Sequence, residues 1–228
     1  MMTFSIIARD ATGAFGMAVS SSSPAVAARC LHLRSGVGAV ASQNITDPRF
    51  GHLLLDQLAA GGTAQSALEW LSTRDSTLDY RQICVLGTSG AGIAHSGKRV
   101  LGCSHQIAGP ETSGEASVTA GNMLKTPTVV DAMHTSFNSS SGDLEIRLLI
   151  ALEAGLAEGG EEGDVHSAGL AVVRDSGWKE SDLRVDWSQN PIPELRTLLE
   201  LWLPQRDDYV TRGIHPATAP SYGVPGDE

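Results

Sequence analysis

The spacing of apolar and polar positions along this chain changes several times, and each change predicts an element. Thr3 to Arg9 and Ala14 to Ser20 are runs of small and β-branched residues separated by Asp10-Ala11-Thr12-Gly13, a turn composition. They predict a β-hairpin whose strands are covered on both faces. Gly36 to Gln43 predicts a third strand, thinned by glycine so that other backbone can approach it. Helical spacing follows in Pro48 to Ala60, with Asp47 as N-cap, and in Thr63 to Thr73, with Gly61-Gly62 between them. Tyr80 to Leu86, Gly92 to His95, Gln106 to Ala108 and Ser117 to Ala120 predict short strands in an antiparallel meander. Two more helices, Pro127 to Phe137 and Leu144 to Ala157, are predicted to pack on the other side of the sheets from the first pair. An acidic loop, Gly159 to Asp164, leads to strands at Ser167 to Arg174 and Leu183 to Trp187, and Asn190-Pro191 opens a last helix ending near Leu203.

Elements of one type come in runs rather than in strict alternation, which predicts an α+β fold. Two mostly antiparallel sheets covered by helices, a four-layer αββα sandwich, would bury every apolar face. No linker composition divides the chain, so residues 1–203 read as a single domain and residues 204–228 as a Pro- and Gly-rich, flexible extension.

Charge and composition narrow the function. A formal net charge of −10, with no Lys/Arg run, argues against nucleic acid as a partner. No apolar stretch is long enough for a bilayer, and the start lacks the basic and apolar regions of an export signal. Cys30, Cys84 and Cys103 are odd in number and form no C-x-x-C pair, which favours reduced thiols and a cytoplasmic location. Cys103-Ser104-His105 alone supplies too few ligands for zinc, and no phosphate-loop pattern occurs, so neither a metal nor another cofactor is expected. A share of charged residues of only 18% and a high Ala/Gly content suggest an apolar surface buried in a homo-oligomer.

Thr3-Phe4-Ser5-Ile6-Ile7-Ala8-Arg9-Asp10, Gly36-Val37-Gly38-Ala39-Val40-Ala41-Ser42-Gln43, Tyr80-Arg81-Gln82, Ala94-His95-Ser96-Gly97 and Gly121-Asn122-Met123-Leu124 occur in this order. Together they resemble the family called domain of unknown function 1028, from Thr3 to about Leu203. That family is similar in fold to the N-terminal-nucleophile hydrolases, and the resemblance implies amide hydrolysis of a small-molecule or short-peptide substrate. Thr3 would then attack with its hydroxyl while its own freed α-amine acts as base. Met1 and Met2 precede it, so that chemistry requires a chain that begins at Thr3. Thr3 equally suits an ordinary strand start.

Asn44 and Asn122 are candidate oxyanion donors, though both also suit turns. Ser42 and Gln43 would lie near Thr3 if the first and third strands are neighbours. Ser20 could polarise the nucleophile or touch substrate, and a hydrolase using a serine within Ser20 to Ser23 is a further possibility. Arg34 could take the place of the cation that related hydrolases carry, or be a surface arginine. His95 could orient substrate or serve as a structural histidine. The rival to catalysis is a binding or assembly protein on the same fold.

Overall fold

The computed structural model describes residues 2–224. β1 (Thr3–Arg9) and β2 (Phe15–Ser21) form the expected hairpin. Asp10 Oδ1 accepts from the backbone N–H of Thr12 and Ala14, and Gly13 takes a φ of 88°, which a residue without Cβ reaches at little cost. A short helix α1 (Ala27–Cys30) and strand β3 (Leu31–Arg34) follow, where the residue pattern predicts only a break. Next come β4 (Gly38–Asn44), α2 (Arg49–Ala59), α3 (Ala64–Ser72), β5 (Arg81–Gly87), β6 (Ile93–Ser96), β7 (His105–Ala108) and β8 (Ala116–Asn122). α4 (Thr128–Ser139), α5 (Leu144–Ala157), β9 (Ser167–Val173), β10 (Lys179–Val185) and α6 (Pro191–Ile214) complete the order.

One sheet runs β10-β9-β2-β1-β8-β7 and the other β3-β4-β5-β6, all pairs antiparallel. With six α-helices among the described residues this is an α+β fold. The expected meander is split, because β5 and β6 belong to one sheet and β7 and β8 to the other. β4 is likewise not a hydrogen-bonded neighbour of β1; it faces it from the second sheet.

Strand periodicity then sorts the side chains into three cores. Phe4, Ile6 and Ala8 turn to Met133 of α4, Leu148 of α5 and Leu195 of α6. Ile7, Met17 and Val19 turn the other way, to Ala39, Ala41, Cys84 and Leu86 between the sheets. Val40, Ile83 and Val85 face Leu54 and Leu55 of α2 and Leu68 and Leu71 of α3. Each large side chain buried in this way contributes roughly 1.5–3 kcal/mol. The small residues Ala39, Ala41 and Ala120 let the sheets come together. No helix among the described residues is long and apolar enough to cross a membrane.

α6 departs from expectation. It does not stop near Leu203 but continues through Pro204 to Ile214, in the stretch read as flexible. An interior proline removes a helical hydrogen bond and costs about 3 kcal/mol. Tertiary contacts offset that loss: Trp202 Nε1 donates to Ser181 Oγ at 2.9 Å, Tyr209 stacks on Trp202 at 5.2 Å, and Arg206 reaches Glu145 at 3.3 Å. Glu145 is fully buried on α5 and also accepts from both Arg174 nitrogens, at 3.0 and 2.8 Å. Burial pushes its carboxyl toward neutrality, but Arg174 and Ser181 more than reverse this and hold it below the usual glutamate range. Residues 225–228 of the expected extension lie outside the described residues.

Candidate functional site

The layer between the sheets is apolar at one end and polar at the other. Along β1 the inward positions run Ile7, Ser5, Thr3; along β2, Val19, Ser21; along β8, Ala120, Asn122. The facing sheet changes in the same direction, from Ala41 to Gln43 and from Cys84 to Gln82. Thr3, Ser21, Gln43, Gln82 and Asn122 all have 0% exposure, so each polar group must find a partner within the protein.

Gln82 is the hub. Its Oε1 accepts from Gln43 Nε2 at 2.6 Å and Asn122 Nδ2 at 3.1 Å, while its Nε2 donates to Ser96 Oγ at 2.9 Å and the Gly121 carbonyl at 3.0 Å. Ser5 Oγ closes one side on Gln43 Oε1 at 2.7 Å, and Ser96 Oγ closes the other on Gln106 Oε1 at 2.7 Å. The chain of amides thus stitches the two sheets together. One atom is left over: Asn122 Oδ1 is buried and has no partner.

Thr3 sits at the rim of this network. The ladder sets it opposite Asn122, and the pairing of Phe4 with Ser20 puts Ser21 level with it on the other side. Thr3 Oγ1 and Ser21 Oγ both donate to the Met2 carbonyl oxygen, and Ser21 Oγ also accepts from the Ser23 N–H at 3.0 Å. Met2 therefore covers Thr3, and its thioether lies against Gly163. With Met2 attached, the Thr3 nitrogen is a peptide nitrogen with no basicity.

The other candidates divide by position. Gln43 belongs to the network. Asn44 does not reach Thr3: its Nδ2 donates to the Tyr80 carbonyl at 2.6 Å and its Oδ1 accepts from Leu101 N–H at 3.2 Å. A φ of 69° at Asn44 ends β4 there, a conformation asparagine tolerates better than most residues. Ser42 points to the helix side and donates to the Asp47 carbonyl at 3.0 Å. Ser20 also points away, donating to the Ser167 carbonyl at 3.0 Å. His95 pairs with Ile83, whose side chain faces α2 and α3, so it too lies on the outer face. Arg34 stands beside Gly38 at the far end of β4, about 20 Å along the strand from Asn44, and pairs with Asp56 at 2.8 Å.

Ser5, Gln82, Ser96 and Gln106 are not among the sequence candidates, and Ser21 is one only as a member of the Ser20 to Ser23 run. Their signal was available: each continues an inward apolar alternation with a polar residue. Glu161 was missed as well. It is 3% exposed, its Oε2 accepts from the Ser22 N–H at 3.0 Å, and its Oε1 has no partner. Burial raises its carboxyl to about 8, despite the Ser22 hydrogen bonds that pull the other way. The Cys30 and Cys84 thiols are likewise raised by burial, to about 11 and about 12, and are chemically quiet.

The model of a family of unknown function, DUF1028, matches residues 3–195. The crystal structure of a Silicibacter pomeroyi protein of that family is similar, with a TM-score of 0.83 and 28% identity, over 93% of this chain and 91% of the other. Anbu, an ancestral beta-subunit from Yersinia bercovieri, aligns with a TM-score of 0.42 and 11% identity, over 89% of this chain and 95% of its own, a level at which likeness carries no argument. No curated protein matches the chain.

Proposed function

This chain belongs to DUF1028, a family of unknown function, and we propose that it hydrolyses an amide bond of a small molecule or short peptide, with Thr3 as nucleophile in chains that begin at that residue. The observation that carries this reading is the convergence of two hydroxyls, those of Thr3 and Ser21, on one carbonyl oxygen at the polar end of the intersheet layer. The packing of helices on the outer face of each sheet supports an N-terminal-nucleophile-like arrangement of layers, although fold alone does not define a reaction.

Removal of Met2 does three things at once. It uncovers Thr3, releases the Ser21 hydroxyl, and converts the Thr3 nitrogen into a primary amine. An α-amine has a reference pKa of about 7.7–8.0, so roughly a tenth to a sixth of it is free base at pH 7. That amine takes the proton of Thr3 Oγ1 as the oxygen attacks the substrate carbonyl. The oxyanion then occupies the place of the Met2 oxygen, within reach of Ser21 Oγ. The proton passes to the leaving amine, and water, deprotonated by the same α-amine, releases the acid from the threonyl ester. Asn44 takes no part, because its amide is committed to Tyr80 and Leu101.

The test is intact-mass analysis of the native protein beside turnover of a panel of small-molecule and peptide amides. Chains beginning at Thr3 hydrolyse a member of the panel, Thr3→Ala abolishes turnover, and Ser21→Ala lowers kcat by about 10²–10³, as loss of one oxyanion donor does. Turnover by protein that retains Met2 would overturn the mechanism. A second reading, binding without catalysis, is favoured by the cover of Met2 over a Thr3 of 0% exposure; native protein that keeps Met2 and binds an amide without cleaving it would establish that reading instead.

A further inference from the structure

A cavity of about 350 Å³ lies between the loop after α5 and the start of α6, at the low end of the ligand-pocket range of roughly 300–1,000 Å³. Glu161 and Asp164 line it, with Leu156, Val165, Pro191 and Pro193 supplying apolar wall. No Lys or Arg is among the lining residues. Glu161 is 97% removed from solvent by its 3% exposure, yet one of its two carboxyl oxygens has no partner in the protein. A buried polar atom without a partner costs about 1–3 kcal/mol, a cost that a ligand donor would remove.

The chemistry of the wall selects that ligand. An anion would meet two carboxyl groups. The start of α6 does not compensate as a helix N-terminus otherwise might, because Pro191 and Pro193 lack N–H groups and the Glu194 N–H already donates to the Asn190 carbonyl at 3.1 Å. A neutral apolar molecule would leave the Glu161 oxygen unsatisfied. We propose that this cavity binds a small primary ammonium compound, with Glu161 Oε1 accepting from the ammonium group and the Leu156, Val165 and proline surface holding its alkyl part. Asp164 adds a second negative group at the wall.

The site rests on the cavity and not on the Thr3 reading, and it is tested by binding rather than turnover. It also adjoins that reading, since a Cβ at Gly163, on the same wall, would stand 3.1 Å from the Met2 methyl. If both hold, the substrate is an amide that carries an ammonium end.

The probes are butylammonium, 1-butanol and butyrate, titrated into the full chain and followed by amide NMR and by calorimetry in two buffers of different ionisation enthalpy. Butylammonium is expected to shift the Ser22 and Glu161 to Val165 amides, to bind at least tenfold more tightly than 1-butanol or butyrate, and to lose that margin in Glu161→Gln. Because burial holds the Glu161 carboxyl protonated at neutral pH, its binding is expected to release close to one proton at pH 7. Glu161→Gln keeps the shape of the neutral acid, and an amide NMR spectrum unchanged away from the cavity confirms that its fold is intact. Equal binding of butanol and butylammonium, undiminished binding to Glu161→Gln, or no shift at these amides would each overturn the proposal.

Discussion

Two buried titratable side chains set opposite limits on stability. His32 is held neutral by burial, its imidazole lowered to about 4 from an ordinary value of 6.5. The unfolded chain therefore binds a proton that the folded chain refuses, and stability falls as pH drops from about 6.5 to about 4. Glu161 acts in the reverse sense. Its folded value of about 8 lies above the ordinary 4.5, so the folded chain keeps a proton that the unfolded chain releases, and stability falls as pH rises between those values. Urea denaturation across pH is expected to show both limbs, and Glu161→Gln should remove the alkaline one, a gain of a few kcal/mol at pH 8 at about 1.4 kcal/mol per pKa unit. His32 also explains Gly51 on α2, where a Cβ would stand 2.0 Å from the imidazole. Gly51→Ala is expected to lower stability by about 1–3 kcal/mol in the same assay, because a buried ring has no free direction in which to yield. At this scale single positions decide which side chains the interlayer receives. Ser20, Ser42 and His95 stand near strand ends but face outward, whereas the candidate Gln43 and the neighbours Ser21 and Ser96 face inward. One residue along a strand exchanges faces, so proximity to an end locates a site only once the parity of the strand is fixed.

Elements were more legible than residues. β1, β2, α2, α3, α4, α5 and β9 follow their apolar periods closely, because a period sums many weak preferences. The failures are those where distant residues decide. α6 passes a proline because Glu145 of α5 holds Arg206 just after it and Ser181 of β10 holds Trp202 just before it. Ser181 is 21 residues from Trp202 and Glu145 is 61 from Arg206. Two outcomes follow for α6. Pro204→Ala should restore the missing helical bond and raise stability by about 1–3 kcal/mol in thermal or urea melts. Glu145→Ala should lower it by about 3–5 kcal/mol, since it leaves Arg174 and Arg206 without their shared counter-charge.

For the whole molecule, the α+β class and antiparallel pairing were readable from runs of like elements, but the assignment of strands to sheets was not. β1 and β4 meet across the interlayer, and β6 and β7 part into different sheets, because closure depends on which faces are left apolar after each hairpin forms. The polar end of that interlayer was visible in part, through Thr3, Gln43 and Asn122, and its hub was not. Gln82→Ala is expected to cost about 2–4 kcal/mol by urea denaturation, since it strands Gln43 Nε2, Asn122 Nδ2 and the Gly121 carbonyl at once.

The side chains that bond around Gln82 are hydroxyls and carboxamides, none of which changes charge in ordinary buffers. Acidity therefore leaves the geometry behind Thr3 untouched. A bell-shaped rate profile, if one is recorded, would owe neither shoulder to this scaffold. Each shoulder would have to be traced to a group that lies outside it, such as the terminal amine or the substrate's own ionisation.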